Sequence, residues 1–401
     1  MPTRRAWTFL ILAGLLYLLA NQTQVGWVYV MVAGLVGLLL LNFFYSWGLL
    51  RSLRASRNFH NLSATTAGQP EPDLLLPTFH EDDPVEITLQ FRHPGWRPLF
   101  LVSGTESCPC ASPAEQTQSF FIPSLFKNQP LSLGYQTVCD RRGLYHFPPI
   151  LLASSGPFGF FRAQRRLVVP GEILIYPYYQ PLKRLRLLER RGYTHPQPVR
   201  LGTGDDLLGV RDYRPGDSLR HVHWRSTARR GRLVVKEFAD EEALSLTVVL
   251  DLSAGGSVGQ GKYATFETAI RLAATLGYYA THKKIPFYLA GENKQPALPK
   301  TPLSWWAVLN YLAKVQNDGV KPLSQLLDSL PPSPFVVVLI SRPDEATAQA
   351  LTALARRGVG TLAIFITPDG IMPEAAAKPS GAELHVAAVS PHNWPELLAE
   401  M

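Results

Sequence analysis

The densest collection of side chains that could do chemistry lies in residues 211–232, which we call the arginine strip. The strip holds seven arginines, two histidines and one tryptophan. His221 and His223 are two residues apart, so on a strand they would share a face. With Asp217 they could form a metal site or an acid–base cluster, which makes a metal-dependent enzyme one interpretation. Since the sequence places no nucleophile motif, phosphate loop or dinucleotide fingerprint beside them, we assign no catalytic residues.

A second interpretation of the arginine strip is a nucleic-acid interface, because arginines neutralise phosphates. Acidic residues, however, lie within the strip or shortly after it: Asp212, Asp217, Glu237, Asp240, Glu241 and Glu242. They would repel a phosphate backbone, and the strip has few aromatic side chains that could stack on bases. We therefore expect no nucleic-acid partner. The net charge of +8 over 401 residues favours acidic partners or anionic lipid only weakly.

A third interpretation of the strip is structural. Tyr213 opens the sequence Tyr-Arg-Pro-Gly-Asp, which has the composition of a turn. Pro215 fixes φ, Gly216 tolerates a positive φ, and Asp217 can cap the turn or helix that follows. These residues predict a reversal of the chain in the middle of the strip.

The larger side chains of the strip suit a clasp that holds one part of the protein to another. Trp224 can bury a large apolar surface while its indole N–H finds an acceptor. Arg211, Arg220 and Arg229 offer planar forks to carboxylates, which lysine does not match. Residues 232–238 predict a strand that leads onward. The strip is then either an internal clasp between neighbouring modules or an external docking face for a partner that carries acidic groups.

The first fifty residues predict two membrane-spanning helices. Residues 6–20 and 25–50 contain no charged side chain, and the polar residues 21–24 separate them. At about 1.5 Å per residue the second run crosses a hydrocarbon core of ~30 Å, and the first does so with help from its flanks. A signal peptide is the alternative, but no small-residue cleavage site precedes a soluble start. We expect residues 6–50 to contact membrane lipid.

The basic residues around the hairpin predict its orientation. Arg4 and Arg5 precede it, and Arg51, Arg54 and Arg57 follow it, whereas the link between the two runs is uncharged. The positive-inside rule therefore places both termini and all soluble domains in the cytoplasm, with the chain as a multi-pass protein of the inner (cell) membrane. The arginines after the hairpin could also touch anionic lipid heads.

The cysteines agree with a cytoplasmic location. Cys108, Cys110 and Cys139 are odd in number, which does not indicate a disulfide framework. The Cys-Pro-Cys sequence has no second ligand pair at zinc-finger spacing. We expect reduced thiols.

The rest of the chain predicts a multi-domain fold after the hairpin of residues 1–57. Residues 58–180 contain short alternating segments interrupted by Pro, Gly and Asn, which predicts an antiparallel β-sandwich of about seven strands. Residues 244–401 alternate buried strands with amphipathic helices, which predicts a doubly wound, Rossmann-like parallel sheet with helices on both faces. Residues 181–243 connect the two modules.

The sequence resembles domain-of-unknown-function family 58 (DUF58), a family of membrane proteins. The residues that carry its central signature are Gly204, Asp205, Arg211, Tyr213, Pro215, Gly216, Asp217, Arg220, Trp224, Ala228 and Arg229. Residues 141–150 and 156–161 resemble two further family segments, with Gly156 where aspartate is commoner. The family's activity is unknown, as its name says. The resemblance implies a MoxR-type AAA+ ATPase as partner, because such proteins are often encoded beside one.

The α/β module resembles a von Willebrand factor A domain. Metal-binding members end their first strand in Asp-x-Ser-x-Ser, and these oxygens hold Mg²⁺. Here Asp251 and Ser253 are present, but Gly255 replaces the second serine and Ser257 comes two places late. The resemblance therefore implies a degenerate metal site.

A second departure from the metal-binding pattern follows the buried strand of residues 335–341. Metal-binding members offer an aspartate there, whereas this chain has Arg342 and delays the acid to Asp344. We expect no metal cofactor, Mg²⁺ included. Arg342 would instead supply to Asp251 the positive charge that a metal ion gives.

Together these features predict a membrane-anchored, non-catalytic interaction or adaptor protein. It would assist the assembly of a complex or a metal centre with a MoxR-type ATPase. A client could dock near Asp251 and Ser253, since ligands of doubly wound sheets bind at the carboxyl ends of the strands. The alternative is a metal-dependent enzyme that uses Asp217, His221 and His223.

Overall fold

The computed structural model covers most of the chain. It describes residues 2–62, 78–186, 201–214, 219–239, 245–294, 298–299, 301–331, 333–342, 344–373 and 384–400, with the backbone alone at 201–209, 221, 237–239 and 399–400. The chain forms two compact units, Met1–Tyr178 and Tyr179–Met401.

Two apolar helices open the first unit, as the sequence predicts. Helix α1 (Arg4–Thr23) begins where the Thr3 hydroxyl accepts a hydrogen bond from the Ala6 N–H. It ends at Gln24, which has a left-handed conformation. Helix α2 (Gly26–Ser46) starts two residues later. The short polar link therefore produces a tight helical hairpin.

The hairpin is held by small side chains and exposes most of its apolar surface. Ala6, Ala13 and Ala20 recur every seven residues on α1 and are its buried positions. Such spacing allows two helices to approach closely. Only 17% of the apolar window of the first helix and 11% of that of the second are buried. By length and composition both helices can cross a membrane.

Ten strands follow the hairpin within the described part of the first unit. They are β1 (Arg54–Asn61), β2 (Phe79–His80), β3 (Pro84–Arg92), β4 (Leu99–Ser107), β5 (Thr117–Leu125), β6 (Pro130–Val138), β7 (Gly143–His146), β8 (Ile150–Ser154), β9 (Ala163–Leu167) and β10 (Glu172–Tyr176). A 3₁₀ turn, Leu49–Ser52, joins α2 to β1. The expected number of about seven strands is too low, because strands as short as β2 and β7 carry too little alternation to detect.

The ten strands form three sheets, ordered β1-β3-β6, β2-β10-β7 and β5-β4-β8-β9. The described pairs are antiparallel except β2–β10, which is parallel. The sheet β1-β3-β6 contributes to two apolar clusters. Leu89 and Phe91 of β3 pack with β4, β5, β8 and β9, whereas Val85 and Ile87 of the same strand pack with β2 and β10. One strand therefore links both cores of the unit.

The second unit begins with a β-hairpin that contains most of the arginine strip. Strand β11 (Leu201–Asp212) pairs antiparallel with β12 (Val234–Ala239). Between them lie a 3₁₀ turn, Leu219–His221, and helix α3 (Trp224–Arg230). The strand predicted at residues 232–238 is confirmed with a slightly later start.

A parallel sheet forms the rest of the second unit, as the alternating pattern predicts. Its strands are β13 (Leu246–Leu250), β14 (Phe287–Ala290), β15 (Phe335–Ile340), β16 (Gly360–Ile366) and β17 (Leu384–Val389), in the order β14-β13-β15-β16-β17. Its helices are α4 (Thr265–His282), α5 (Trp305–Lys314), α6 (Leu323–Asp328), α7 (Glu345–Arg356) and α8 (Trp394–Glu400).

The helices cover both faces of this sheet. Side chains of α4, α5 and α8 share one apolar cluster with alternate residues of β13, β15 and β16. Side chains of α6 and α7 share a second cluster with the other residues of the same strands. Every residue of β13, β15 and β16 is buried, which explains why these strands are continuous apolar runs.

Candidate functional site

The carboxyl edge of the parallel sheet holds the polar residues singled out in the sequence. Asp251 directly follows β13 and is 5% exposed. Its Oδ1 atom accepts from the Ser253 hydroxyl at 2.5 Å and from the Ser253 N–H at 3.2 Å. Its Oδ2 atom accepts no hydrogen bond from any described residue. Asp251 thus uses Oδ1 to fix the loop, whereas Oδ2 can accept a hydrogen bond from a ligand or from water.

The sheet topology makes this edge a natural binding place. From β13 the chain runs to β14 on one side, and then to β15 on the other side of β13. The helices that follow β13 and β15, α4 and α7, lie on opposite faces. A crevice opens at such a switch point in doubly wound sheets. Asp251 after β13 and Ser341 after β15 border it, because these strands pair directly.

The loop after β13 is held by close backbone contacts that the sequence did not reveal. The Gly319 N–H donates to Leu252 O at 2.8 Å, and the Ala254 N–H donates to Gly319 O at 3.0 Å. A Cβ atom at position 319 would collide with the carbonyl oxygen of Glu292. Glycine is therefore required there, and it keeps the loop of Asp251 in one conformation.

Ser341 is a further polar residue of this edge that the sequence interpretation missed. It is 7% exposed, and its buried hydroxyl has no hydrogen-bond partner among the described residues. A buried hydroxyl without a partner costs about 1–3 kcal/mol, so its retention calls for an explanation. The available signal was its position directly after a buried strand. Ser341 and Asp251 Oδ2 together give the edge one donor and one acceptor that the described fold leaves unused.

The metal-site positions do not assemble into a metal site. Gly255 has φ +79°, which disfavours the second serine of the Asp-x-Ser-x-Ser metal-binding pattern. Ser257 is exposed. Asp344 caps α7, because its Oδ1 atom accepts from the Thr347 N–H at 2.7 Å. In the part of the chain that the structure describes, no three His, Cys, Asp or Glu side chains are placed to hold a metal ion. These residues do not fit Mg²⁺.

Arg342 lies at the same edge but does not pair with Asp251 as expected. Its side chain is exposed, and among the described carboxylates none lies within 4.0 Å of it. Its Cβ atom lies 3.8 Å from the point where a Cβ of Gly256 would stand, so it flanks the loop of Asp251. The positive charge of Arg342 therefore points to solvent rather than to the buried carboxylate.

Several contacts of the arginine strip lie within its own hairpin. Arg211 donates from Nη1 to the carbonyl of Asp212 at 3.1 Å, and Arg232 pairs with the Asp212 carboxylate at 2.8 Å on the surface. The Tyr213 N–H donates to Leu233 O at 2.9 Å. Gly216 and Asp217 lie outside the described residues. These contacts close the hairpin but do not tie it to another module.

Trp224 is not the buried anchor that the clasp interpretation needs. It is 67% exposed. Helix α3 has no buried residue, and Arg220, Ala228 and Arg229 are exposed as well. Trp224 is the first residue of the short helix α3. The internal clasp and the external docking face both stay predictions.

The two histidines do not alternate on a strand. His221 ends a 3₁₀ turn, and His223 precedes α3 and caps it. The Nδ1 atom of His223 accepts from the Ser226 N–H at 3.2 Å and lies 2.8 Å from the Ser226 hydroxyl. The side chain of His221 and the whole of Asp217 are outside the described residues. His223 thus has a capping role.

Arg57 is a buried residue of the β module rather than a flanking surface charge. Its guanidinium pairs with Glu106 at 2.7 Å, and both side chains are fully buried. It also donates from Nη1 to Val169 O at 3.0 Å and lies 4.4 Å from the centroid of the Phe147 ring. Burial raises the pKa of Glu106, and the charge of Arg57 opposes that rise. The lipid contact expected for Arg57 therefore does not fit its buried position.

The three cysteines lie in the apolar cluster between β3 and β10, and none forms a disulfide. The Sγ atoms of Cys108 and Cys110 are 3.4 Å apart. Their hydrogen bond and burial raise the pKa of Cys108. The same bond lowers the pKa of Cys110, but a bond with Cys139 and burial outweigh it and raise that pKa to about 12. Protonated, buried thiols are poor nucleophiles, so a reactive role does not fit them.

The segment of residues 156–161 joins the β module to the helical hairpin. Thr3 donates from its hydroxyl to Gly159 O at 2.7 Å. The Phe160 ring packs tilted against the Phe9 ring with centroids 4.8 Å apart, and the Phe161 ring packs edge-on against Phe43 with centroids 5.4 Å apart. The sequence resemblance identified this segment but not its contact with the helices.

Gly156 has a steric reason for replacing the aspartate that is commoner at this position. A Cβ atom there would lie 2.8 Å from the carbonyl oxygen of Phe100. Any larger residue would force the backbone to move. The close packing of β4 against this segment thus accounts for glycine at this position.

Comparison with known proteins supports one part of the expected resemblance. Residues 209–319 match the model of a family described as protein of unknown function DUF58. The uncharacterized protein YeaD of Bacillus subtilis (strain 168) is 24% identical over 124 residues, which are 30% of this chain and 31% of YeaD. The match spans about a third of the length of that relative. The matched range contains both Asp251 and Gly319.

Solved structures give weaker similarities. A Northeast Structural Genomics Consortium target, SoR45, aligns over 31% of this chain and 89% of its own with 13% identity and a TM-score of 0.19. The putative ApaA protein from Bordetella pertussis aligns over 30% of this chain and 90% of its own with 10% identity and a TM-score of 0.18. Scores this low carry no functional argument.

Proposed function

We propose that this chain is a membrane-anchored, non-catalytic interaction protein whose α/β domain docks a protein partner at the switch point of its sheet. Two residues at the carboxyl edge of the sheet support this proposal. Ser341 keeps a buried hydroxyl without a described partner, and Arg342 beside it keeps an exposed charge without a described carboxylate. Groups that the fold positions but does not use are suited to a partner.

The charge of the edge indicates the chemistry of the partner. Arg342 can receive a carboxylate in a bidentate geometry at the rim of the crevice. The Ser341 hydroxyl can donate to the same partner once water is excluded. The Ser253 hydroxyl donates to Asp251 Oδ1, so Asp251 Oδ2 can accept a hydrogen bond from a donor on the partner. An acidic segment that also offers a backbone N–H would satisfy all three residues.

The exposed hairpin supports the anchor. Helices α1 and α2 leave many large apolar side chains exposed, among them Leu15, Leu18 and Leu41 at about 60% each. In water each such side chain forgoes roughly 1.5–3 kcal/mol of burial. In a bilayer the same surface is solvated by lipid. By the positive-inside rule, the arginines on both flanks favour a cytoplasmic location for the β module and the α/β unit.

The identity of the domain and of its partner follows by resemblance. The parallel sheet and the Asp-x-Ser sequence at Asp251 are compatible with a von Willebrand factor A-like domain whose metal site is lost. A MoxR-type AAA+ ATPase is the partner that the DUF58 resemblance implies. The chain would then act as an adaptor in the assembly of a complex or a metal centre. The enzyme alternative gains no support, since His223 serves as a helix cap.

A binding measurement tests this proposal. The full chain in detergent micelles is immobilised, and the MoxR-type ATPase of the same organism is titrated. We expect Arg342→Glu to weaken binding at least about tenfold, because it places like charges together at the interface. Arg356→Glu is the matched control, since Arg356 is exposed on α7 away from the crevice and should bind like the unmodified protein. The proposal is contradicted if Arg342→Glu binds as tightly as the unmodified chain, or if the unmodified chain does not bind at all.

A further inference from the structure

A cavity of about 670 Å³ opens where the helical hairpin meets the β module. It lies between the end of α2, the 3₁₀ turn that follows, and the start of β9. Its polar lining includes Ser46, Trp47, Arg51, Arg162 and Arg165. The cavity lies wholly within the first unit.

A second, apolar groove adjoins this cavity. It has a volume of about 680 Å³ and runs between α1 and α2. Its lining includes Ala13, Gly14 and Val36, with almost no polar surface. Phe43 and Phe161 line both spaces. A basic cavity and an apolar groove that share a wall suit one ligand with a charged head and a hydrocarbon chain.

The charge of the cavity is unbalanced. Residues 43–51 and 161–165, which line it, contain no acidic residue. Arg51 is exposed, and its guanidinium bonds to no described residue. Arg165 donates from Nη1 to the carbonyls of Leu50, Arg51 and Leu53, which fixes it beside the turn. Since its Nε and Nη2 atoms bond to no described group, Arg165 can still bind an anion.

Ser46 provides an independent sign of a ligand. It is 7% exposed, lines the cavity, and its buried hydroxyl has no partner in the described part of the chain. One helical turn earlier, Asn42 is fully buried, and neither of its amide atoms has a described partner. Unpartnered polar groups are costly near a hydrocarbon phase, so the Ser46 hydroxyl is expected to serve a bound molecule. Asn42 lines neither the cavity nor the groove.

Aromatic side chains place the cavity at the level of a membrane surface. Trp47 is 61% exposed and Trp96 is 79% exposed. Arg97 connects Trp96 to the end of α2, because it lies over the Trp96 ring and donates from Nη1 to the Phe44 carbonyl at 3.1 Å. Exposed tryptophans beside arginines are typical of the interface between lipid heads and water.

We propose that the cavity and the groove together bind one anionic phospholipid. Its phosphate lies between Arg51 and Arg165 and accepts a hydrogen bond from the Ser46 hydroxyl. One acyl chain runs along the groove past Gly14. The lipid would fill the junction between hairpin and β module and fix the angle between them. This inference rests on the proposed membrane anchor.

The test uses the full chain purified in a mild detergent and measured by native mass spectrometry with added phosphatidylglycerol or phosphatidylcholine. We expect one phosphatidylglycerol per chain to be retained and phosphatidylcholine to be lost. Arg51→Gln should weaken retention by about fivefold, the typical effect of one basic residue at a lipid surface. Arg54→Gln is the matched control, because Arg54 is equally exposed but does not line the cavity. Equal retention of both lipids, or equal loss in both variants, overturns the proposal.

A second variant tests the acyl-chain half. Gly14→Leu fills the groove, and a Cβ atom at position 14 meets nothing within 4 Å, so the hairpin should still form. We expect this variant to lose phosphatidylglycerol, although the basic cavity, which Gly14 does not line, is unchanged. If Gly14→Leu retains the lipid, or if inorganic phosphate alone competes at equal concentration, the site is a phosphate site and the lipid assignment is wrong.

Flotation with phosphatidylcholine vesicles separates this failure from failure of the anchor. A chain that floats with the vesicles but shows no preference for phosphatidylglycerol overturns only the lipid site. A chain that does not float overturns the anchor, and the lipid site with it.

Discussion

At the scale of single residues, the fold uses charged side chains in two different ways. Arg57 and Glu106 are withdrawn from water into the β module, where the two charges pair directly, although Glu106 Oε2 has no described hydrogen-bond partner. Asp251 is withdrawn as well, but it has no described cationic partner, and Ser253 donates to one of its two oxygens. The first arrangement holds structure together, and the second leaves chemistry available at a surface.

The buried ion pair gives a prediction for stability. Glu106→Gln leaves the Arg57 charge uncompensated in an apolar core. Breaking a buried pair in this way costs about 3–5 kcal/mol. We expect the free energy of unfolding of the first unit to fall by that order, measured by denaturant titration of the chain in detergent.

The matched control for this substitution is Glu172→Gln. The Glu172 side chain is 59% exposed, and its contact with His146 is 3.8 Å long. Exposed pairs contribute at most about 1 kcal/mol, so this variant should unfold near the unmodified protein. Equal destabilisation by the two substitutions would mean that Arg57 finds another partner.

At the scale of elements, apolar patterns in the sequence predicted the hairpin helices and the strands that are buried on both faces. They could not predict residues whose contacts come from distant parts of the chain. The hairpin helices and strands β13 and β15 are long apolar runs, so the sequence alone located them. Arg57 looked like a flank of the hairpin, because its partner Glu106 is 49 residues away. Ser341 and Gly319 could not be assigned to the site before the sheet order brought their loops together.

Helix α3 shows the same limit within the arginine strip. On a strand His221 and His223 would share a face, but the chain forms a 3₁₀ turn and a short helix capped by His223. The large apolar surface of Trp224 suggested a buried anchor, but Trp224 is 67% exposed.

The exposure of Trp224 predicts how its removal acts. We expect Trp224→Ala to change the free energy of unfolding by less than about 0.5 kcal/mol, as for other surface substitutions. Partner binding should weaken in the same variant if the strip is a docking face. The measurement pairs thermal unfolding with the binding titration of the MoxR-type ATPase. A large fall in the melting temperature would restore the internal clasp.

At the scale of the whole molecule, the chain combines an apolar hairpin with an α/β unit, and the Ser341 hydroxyl of that unit has no described hydrogen-bond partner. The hairpin and the β module are joined through residues 156–161, so the first unit spans from lipid to cytoplasm in the proposed arrangement. The α/β unit adds a crevice at the switch point of its sheet. An adaptor needs both parts in one chain.

The anchor is the claim on which the rest depends, and alkaline carbonate extraction of membranes tests it most directly. Carbonate removes peripheral proteins but leaves chains that cross the hydrocarbon core. We predict that the intact chain stays in the membrane pellet, whereas a variant that lacks residues 1–48 is released. Release of the intact, uncleaved chain into the supernatant would contradict the account.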